Sequence, residues 1–231
     1  MSRYVGEELD LFALAHRWKD RLTREIAPYL EAPVLEVGAG LGATTAALRH
    51  SVAGAWTALE PDPLLARRLA DRQDLDCAVW AGDLAEIPPQ ERFRTVLYVD
   101  VLEHIADDRA ELATAFARPE LGGRLIVLAP AHQWLYSPFD RAVGHHRRYH
   151  RAHLLSLAPV GALLERVRYL DACGLLLNLG NRLVVRQRVP TPAQIRFWDR
   201  FLVPLSRWID PLLSYRAGRS LLVIWRKSDR G

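Results

Sequence analysis

The chain has 231 residues, of which 50% are hydrophobic and 25% charged, a balance typical of a globular protein and unlike that of a disordered one. Its net charge of +4 suits an anionic small substrate or a membrane surface and is weak evidence for nucleic acid. The two cysteines are far apart in the sequence and predict neither a disulfide framework nor a zinc site. No apolar run approaches the ~20 residues that span a bilayer. We therefore expect a cytoplasmic protein that is at most peripheral to membranes.

Short apolar segments alternate with helical ones along the first half of the chain. Apolar residues at helical spacing predict a helix within 8–30. The predicted strands that follow are 34–37, 55–59, 78–81, 95–99 and 124–129, and the predicted helices are 43–50, 64–72 and 107–117. This alternation is typical of a parallel sheet covered on both faces, whose ligands bind beyond the carboxyl ends of the strands.

The second half of the chain differs from the first in composition and periodicity. Residues 131–150 are polar, aromatic and basic without periodicity, which predicts a functional loop. A helix is expected at 153–159 and strands at 166–172 and 221–225. We treat residues 1–231 as one domain with an N-terminal helical segment (1–30), a cofactor-binding half (31–130) and a substrate-binding half (131–231) that includes a lid-like insertion (175–218).

Acidic residues follow each of the first four predicted strands, or end them. The first lies in Glu36-x-Gly38-x-Gly40-x-Gly42, where a carboxylate before the glycines would repel a pyrophosphate but suits a ligand with an ammonium group. Glu60 is placed to accept both hydroxyls of a ribose, and Asp83 to accept the amino group of adenine. The ligand that these acids imply contains a ribose, an adenine and a cationic amino-acid part.

These residues resemble the motifs of class I S-adenosylmethionine-dependent methyltransferases. The motifs that carry the resemblance are Val34–Gly42, Leu59–Asp62, Ala81–Leu84, Val99–Ile105 and Gly122–Val127. The resemblance implies an α/β, Rossmann-like, doubly wound sheet of seven strands in the order 3-2-1-4-5-7-6, with the seventh, supplied by 221–225, antiparallel. It also implies S-adenosyl-L-methionine as cofactor and S-adenosyl-L-homocysteine as product. The cofactor-binding residues expected from it are Glu36, Gly38, Ala39, Gly40, Thr44, Glu60, Pro61, Gly82, Asp83, Leu84, Asp100, Val101 and His104.

Simpler interpretations remain open for these residues. The glycines could form only a tight turn between strand and helix. Glu60 could cap the next helix, and Asp83 could be a solvated turn residue. Glu103 and His104 could be structural, since a histidine at a helix start is often a packing or capping residue.

The loop after the fifth strand is the expected acceptor site. It resembles a subset of bacterial methyltransferases with Asp-x-x-x-Gly-His-x-Arg-Arg-Tyr, which often act in secondary metabolism or on cell-surface sugars. Of the catalytic candidates, His145 would take a proton from the acceptor and Arg148 would anchor an acidic acceptor. The third catalytic candidate is Tyr149, and the substrate-binding candidates are Tyr136, Asp140 and Arg147. The arginines could instead form a solvated face, and Asp140 with His145 and His146 is too thin a ligand set to predict a metal.

We therefore expect methyl transfer to the O, N or C atom of a small molecule that is anionic and partly apolar. The alternatives are an NAD(P)-dependent oxidoreductase of related fold and a non-catalytic nucleoside-binding protein. No nucleic-acid partner is expected, and the protein would be a monomer or a homodimer. The aromatic segment at 195–213 could be core or a lid, a dimer face or a membrane-surface helix.

Overall fold

The structure is a computed structural model that describes residues 14–180 and 191–228. The strands are β1 (Val34–Val37), β2 (Trp56–Glu60), β3 (Ala78–Ala81), β4 (Phe93–Val99), β5 (Pro119–Pro130), β6 (Ala162–Leu170) and β7 (Ser220–Lys227). The helices are α1 (His16–Ile26), α2 (Ala43–Leu48), α3 (Pro63–Ala70), α4 (Asp108–Ala117), α5 (Pro138–Ala142), α6 (Arg151–Ser156), α7 (Ala172–Gly180), α8 (Pro192–Phe197) and α9 (Val203–Leu212). The predicted start of the first helix lies outside the described residues.

The strands form one seven-stranded sheet in the order β3-β2-β1-β4-β5-β7-β6. The first five strands are parallel to one another, and β7 runs antiparallel to both β5 and β6. The predicted order and the antiparallel seventh strand are thereby confirmed. Val37 at the end of β1 pairs with Leu59 of β2 and Tyr98 of β4, so these strands end at one edge of the sheet.

Apolar side chains cover both faces of the sheet. Leu35 and Val37 of β1 point into one core cluster, whereas Val34 points into the other. The central strands are buried on both sides, which is the reason that parallel strands appear as continuous apolar runs.

Four elements differ from the expectations. The fifth strand, expected at 124–129 after Gly122 and Gly123, extends over Pro119–Pro130 and includes both glycines. The strand expected at 166–172 lies at Ala162–Leu170, and its first half is hard to recognise because Leu163 and Leu164 are exposed at the sheet edge. The loop at 131–150 contains α5, which begins where the Ser137 hydroxyl and the Asp140 carboxylate cap each other's backbone N–H groups. The helix expected at 153–159 begins at Arg151, after a cap in which the His150 ring accepts from the His153 N–H.

Residues 191–212 form a continuous helical arm in which one π-helical turn (Trp198–Leu202) joins α8 to α9. Its inner face packs into the core, and two buried acids fasten it to α1. Asp199 accepts from the backbone N–H groups of Arg17 and Trp18 at 3.2 and 2.9 Å, and Asp210 pairs with Arg21 at 2.9 Å. None of the described helices is long and apolar enough to cross a membrane.

Candidate functional site

The glycine loop connects β1 to α2 and packs directly on the segment that follows β4. The N–H groups of Gly38 and Ala39 both donate to the Leu59 carbonyl, at 2.8 and 3.0 Å. Gly38 has φ +70°, and a Cβ there would lie 2.6 Å from the Cγ2 atom of Val101. A side chain at Gly38 would therefore push these two segments apart, so this position needs glycine.

Glu60 ends β2 and holds the glycine loop. Its Oε2 atom accepts from the Gly40 N–H at 2.7 Å, and its Oε1 atom accepts from the Asp62 N–H at 2.9 Å. Burial raises the pKa of this carboxyl, and the two N–H donors oppose that rise. A carboxylate oxygen can accept two hydrogen bonds, and each oxygen of Glu60 accepts one here. Each oxygen therefore has a lone pair left for a ribose hydroxyl.

Glu36 is turned into the protein. Its Oε2 atom accepts from the Thr45 hydroxyl at 2.6 Å and from the Trp56 indole at 3.0 Å. Burial raises its pKa to about 7, against the effect of these donors. The geometry shows Glu36 joining β1 to α2 and β2, and its role toward the cofactor's ammonium group stays a prediction.

Asp83 and Asp100 are the acids at the ends of β3 and β4, and both are exposed. Before Asp83, Gly82 has φ +146°, and a Cβ there would lie 2.0 Å from the Glu86 carboxylate that accepts the Asp83 N–H. Asp100 has φ +54°. Although the residue as a whole is exposed, desolvation of its carboxyl group raises the pKa, and the nearby charges of Arg219, His145 and Arg148 oppose that rise.

The remaining predicted cofactor residues lie in the same region of the chain. Thr44 is half-buried in the first turn of α2, Pro61 is exposed after β2, and Leu84 is buried in the core. A tightly packed glycine loop with carboxylates at the ends of the adjoining strands fits a ligand with a ribose and amino groups. The residues present therefore fit S-adenosylmethionine.

Asp140 is the centre of the acceptor loop, and it is fully buried. It accepts from His145 Nδ1 at 3.0 Å and from Arg148 Nε at 2.7 Å, while its Oδ2 atom accepts from the Ser137 hydroxyl at 2.7 Å. Burial opposes its ionisation, but these donors outweigh burial and hold the pKa of Asp140 below its usual range. The loop thus brings the catalytic candidates His145 and Arg148 together around one internal carboxylate.

The other three loop candidates make structural contacts. The Tyr149 hydroxyl is buried and donates to Asp108 at 2.9 Å, and the Tyr136 hydroxyl donates to the His145 carbonyl at 2.6 Å. Arg147 pairs with Asp108 at 2.7 Å and donates to two backbone carbonyls of the segment before α4. These contacts fix the loop on the sheet, and they give no support to the catalytic role predicted for Tyr149.

Glu103 and His104, in the segment that follows β4, lie close to His145 of the loop at 131–150. Each offers a ligand atom, and these atoms all lie within 4.8 Å of one another. The Oε1 atom of Glu103 is 3.9 Å from His145 Nε2, too far for a hydrogen bond. Burial, with His145 and His146 close by, lowers the pKa of His104 to about 4.

Two residues at this site were not among the sequence-predicted site residues. Glu103 was considered only as structural, yet its side chain is fully buried, and within residues 14–180 and 191–228 neither carboxylate oxygen has a hydrogen-bond partner. Arg219 comes from just before β7, where its guanidinium lies 4.1 Å from the Trp198 ring and acts electrostatically on Asp100. A signal for Glu103 was present in the motif Asp100-x-x-Glu103-His104, whereas no local pattern relates Arg219 to the site.

Comparison with known proteins agrees with this architecture. Residues 34–119 match the sequence profile of a family described as "Methyltransferase domain". No curated protein matches the chain significantly in sequence.

Solved structures with the same fold include an S-adenosylmethionine-dependent methyltransferase from Thermotoga maritima, described as a possible histamine N-methyltransferase. It is 17% identical, with a TM-score of 0.63 over 98% of this chain and 97% of its own. A second is the N-methyltransferase NodS of Bradyrhizobium japonicum bound to S-adenosyl-L-homocysteine, 14% identical with a TM-score of 0.57 over 92% and 88% of the chains. A third is the [4+2]-cyclase SpnF, 16% identical with a TM-score of 0.61 over 90% and 80%.

At these identities the structures establish the fold, and the sequence profile adds a family match for residues 34–119. The match covers the glycine loop, Glu60, Asp83, Asp100 and the β4 segment, all of which lie between residues 34 and 119. S-adenosylmethionine, which the site residues fit, is the cofactor of this family. The chain thus has the fold of S-adenosylmethionine-dependent methyltransferases, and its residues 34–119, which carry the cofactor site, match the methyltransferase-domain family.

Proposed function

We propose that the protein transfers a methyl group to a small, anionic and partly apolar acceptor that is held between the glycine loop and the loop at 131–150. The observation that carries this proposal is the charge of the acceptor loop. Residues 137–153 contain four arginines, four histidines and one acid, and the acid, Asp140, is fully buried. The surface of this loop therefore favours an acceptor with a carboxylate or phosphate group.

The partly apolar character of the acceptor follows from the neighbouring side chains. Trp134 is 49% exposed and lies 5.3 Å, ring centre to ring centre, from His132. The His132 ring stacks in turn on Tyr169 of β6, with centroids 5.0 Å apart. This aromatic row beside the basic loop suits an acceptor with a flat or apolar portion.

Binding and chemistry are assigned to different residues. Glu60 and the backbone of the glycine loop, which it holds in place, bind the cofactor, which supplies a methyl group on a positively charged sulfur. Asp140 holds the His145 ring through Nδ1, so Nε2 remains available to take a proton from an acceptor hydroxyl or amine. The loop contributes alignment of the acceptor and exclusion of water from it.

Turnover with a panel of small carboxylates and phosphates that carry an aromatic or alkyl group tests the proposal. The readout is formation of S-adenosyl-L-homocysteine. We expect His145→Ala to lower turnover by at least a hundredfold while calorimetry shows unchanged affinity for S-adenosyl-L-homocysteine. Full turnover of this variant would refute the role of His145, and preference for neutral or cationic acceptors would refute the substrate class.

An activity other than methyl transfer has one observation in its favour, because a [4+2]-cyclase shares this fold. The same assay separates the two. Consumption of the acceptor without stoichiometric S-adenosyl-L-homocysteine would indicate that the nucleoside site has a non-transfer role.

A further inference from the structure

Glu103 is the least satisfied acidic group at the site. Its side chain is fully buried, and neither carboxyl oxygen has a hydrogen-bond partner among the residues that the structure describes. Burial of an unpaired carboxylate lowers the stability of the folded state strongly unless a partner compensates its charge. Such a group in a packed protein points to a partner that binds from outside.

The neighbours of Glu103 are arranged as ligands of one ion. His145 Nε2 lies 3.9 Å from Glu103 Oε1, and two atoms that bind one metal at about 2.1 Å are at most about 4.2 Å apart. The third ligand atom, from His104, lies within 4.8 Å of both. His104 is exposed, so its side chain has room to rotate toward the other two ligand atoms.

Asp140 supplies the supporting contact that metal-binding histidines commonly have. It accepts from His145 Nδ1 at 3.0 Å, which orients the ring and leaves Nε2 directed toward Glu103. A histidine bound to a metal usually donates its other ring N–H to a carboxylate in this way. Arg148 and Ser137 fix Asp140 in turn, so the ligand is supported by a second layer of contacts.

We propose that Glu103, His104 and His145 bind one divalent cation. One carboxylate and two imidazoles favour a borderline ion such as Zn²⁺, Mn²⁺ or Co²⁺ over Mg²⁺ or Ca²⁺, which prefer oxygen ligands. Three protein ligands leave at least one coordination position open for an acceptor oxygen.

The catalytic role of this cation rests on the proposed function. In that function the cation would resolve an electrostatic conflict between the acceptor and the site. An anionic acceptor that enters this site meets the carboxylates of Asp100 and Glu103, and the positive charge of a cation would offset them. An acceptor hydroxyl bound to the cation loses its proton to solvent more easily, and its oxygen bonds the methyl carbon as the carbon–sulfur bond breaks. His145 then acts as a ligand, and the direct removal of a proton by His145 is the alternative.

Metal binding is measured directly, without an acceptor, on untagged protein treated with a chelator and then titrated with Co²⁺. We expect one Co²⁺ per chain with visible absorption bands, and at least tenfold weaker binding for Glu103→Gln and for His104→Ala. His146→Ala is the matched control, because His146 is the adjacent exposed histidine outside the set, and it should bind Co²⁺ as the wild type does.

The outcomes separate this inference from the proposed function. Absence of stoichiometric Co²⁺ binding, or binding that neither Glu103→Gln nor His104→Ala weakens, would overturn the metal site, and methyl transfer would still stand. Turnover that persists after complete metal removal would overturn the catalytic role of the cation and leave His145 as the base. Thermal unfolding of each variant shows whether it is folded.

A separate observation concerns the outer face of the helical arm, residues 191–212. Large apolar side chains follow one another along it at helical spacing and are all exposed. They are Phe197 (51%), Phe201 (55%), Leu205 (48%), Trp208 (71%) and Leu212 (83%). Leu176 (67%) and Leu177 (38%) of α7, which packs against α9, add to this apolar face.

The charges around the apolar face are of one sign. The exposed arginines of residues 191–216 are Arg196, Arg200, Arg207 and Arg216, and both acids of this segment, Asp199 and Asp210, are buried. A twofold contact between two copies would place these arginines against one another. A surface of anionic lipids instead complements them, and each basic residue near it contributes about 1 kcal/mol.

We infer that the outer face of the arm binds an anionic membrane surface. Apolar and aromatic residues flanked by arginines are typical of helices that lie in the membrane interface.

A vesicle flotation assay tests this second inference. The vesicles contain phosphatidylcholine alone or with about 30% phosphatidylglycerol, which is enough anionic lipid for the surface attraction described above. We expect binding only to the anionic vesicles and at least fivefold less binding for the double variant Trp208→Ala and Leu212→Ala. Val160→Ala, which removes an equally exposed apolar side chain elsewhere, should bind normally. Equal binding by the double variant, or a stable dimer in solution that the double variant abolishes, would overturn the inference.

Discussion

The buried carboxylate of Asp140 accepts from both the Nε and the Nη2 atoms of Arg148, at 2.7 and 3.1 Å, so the pair is held in two-pronged geometry. This contact uses donors of Arg148 that were predicted to anchor an acceptor. The acceptor loop is therefore built around an internal ion pair. An anionic acceptor must then be attracted by the other basic groups of the loop.

Asp140→Asn should lower the free energy of unfolding by about 3 kcal/mol, because removal of one partner leaves the Arg148 charge buried and unpaired. Urea denaturation measures the loss. Arg141→Ala, an exposed change on the same helix, is the control and should lie within about 0.5 kcal/mol of the wild type. A loss below 1 kcal/mol for Asp140→Asn would contradict the central position given to this ion pair.

Glu60→Ala should weaken the binding of S-adenosyl-L-homocysteine at least tenfold, because it removes the ribose acceptor and frees the Gly40 N–H. Isothermal calorimetry measures the affinity. Asp62→Ala is the matched control: Asp62 caps α3 by accepting from the N–H groups of Leu64 and Leu65. That variant should lose about 1 kcal/mol of stability with little change in affinity. Unchanged affinity in Glu60→Ala would remove the ribose assignment.

Glu36 should make the protein less stable as pH rises. Its pKa in the folded state is about 7 instead of 4.5, so the folded protein holds a proton that the unfolded chain releases between these values. The contribution is complete below pH 4.5 and is lost as pH rises through 7, by on the order of 3 kcal/mol at 1.36 kcal/mol per unit. Glu36→Gln, which cannot ionise, should be less sensitive to pH in this interval. Urea denaturation at pH 5 and pH 8 makes the comparison, and identical pH slopes for both proteins would contradict it.

Tyr149→Phe tests whether the buried hydroxyl is structural. It removes the hydrogen bond to Asp108, whose ion pair with Arg147 remains. We expect a loss of about 1 kcal/mol in unfolding free energy and turnover within about threefold of the wild type. A drop of a hundredfold in turnover with unchanged stability would instead restore the catalytic role predicted from the sequence.

The sequence by itself determined the order of the strands in the sheet and the position of the cofactor-binding half. β1 lies inside the parallel sheet and is buried on both faces, so it stands out as an apolar run with the same bounds in sequence and structure. The edge strand β3 also has its predicted bounds, although most of its residues are exposed. The acids at the strand ends and the glycines between them are local patterns. They indicated the position and the chemistry of the cofactor site because parallel strands bring their carboxyl ends to one edge.

The tertiary structure decided which side chains have partners. Arg147 and Arg148 are neighbours with the same chemistry, yet one pairs with Asp108 and the other with Asp140. Glu103 has no hydrogen-bond partner, and Arg219 reaches the site from a distant part of the chain. Contacts between segments far apart in sequence depend on how the loops pack on the sheet, and no local periodicity encodes them. For that reason the sequence predicted the cofactor and the acceptor loop, whereas the contacts on which the proposed cation site rests could be seen only in the packed structure.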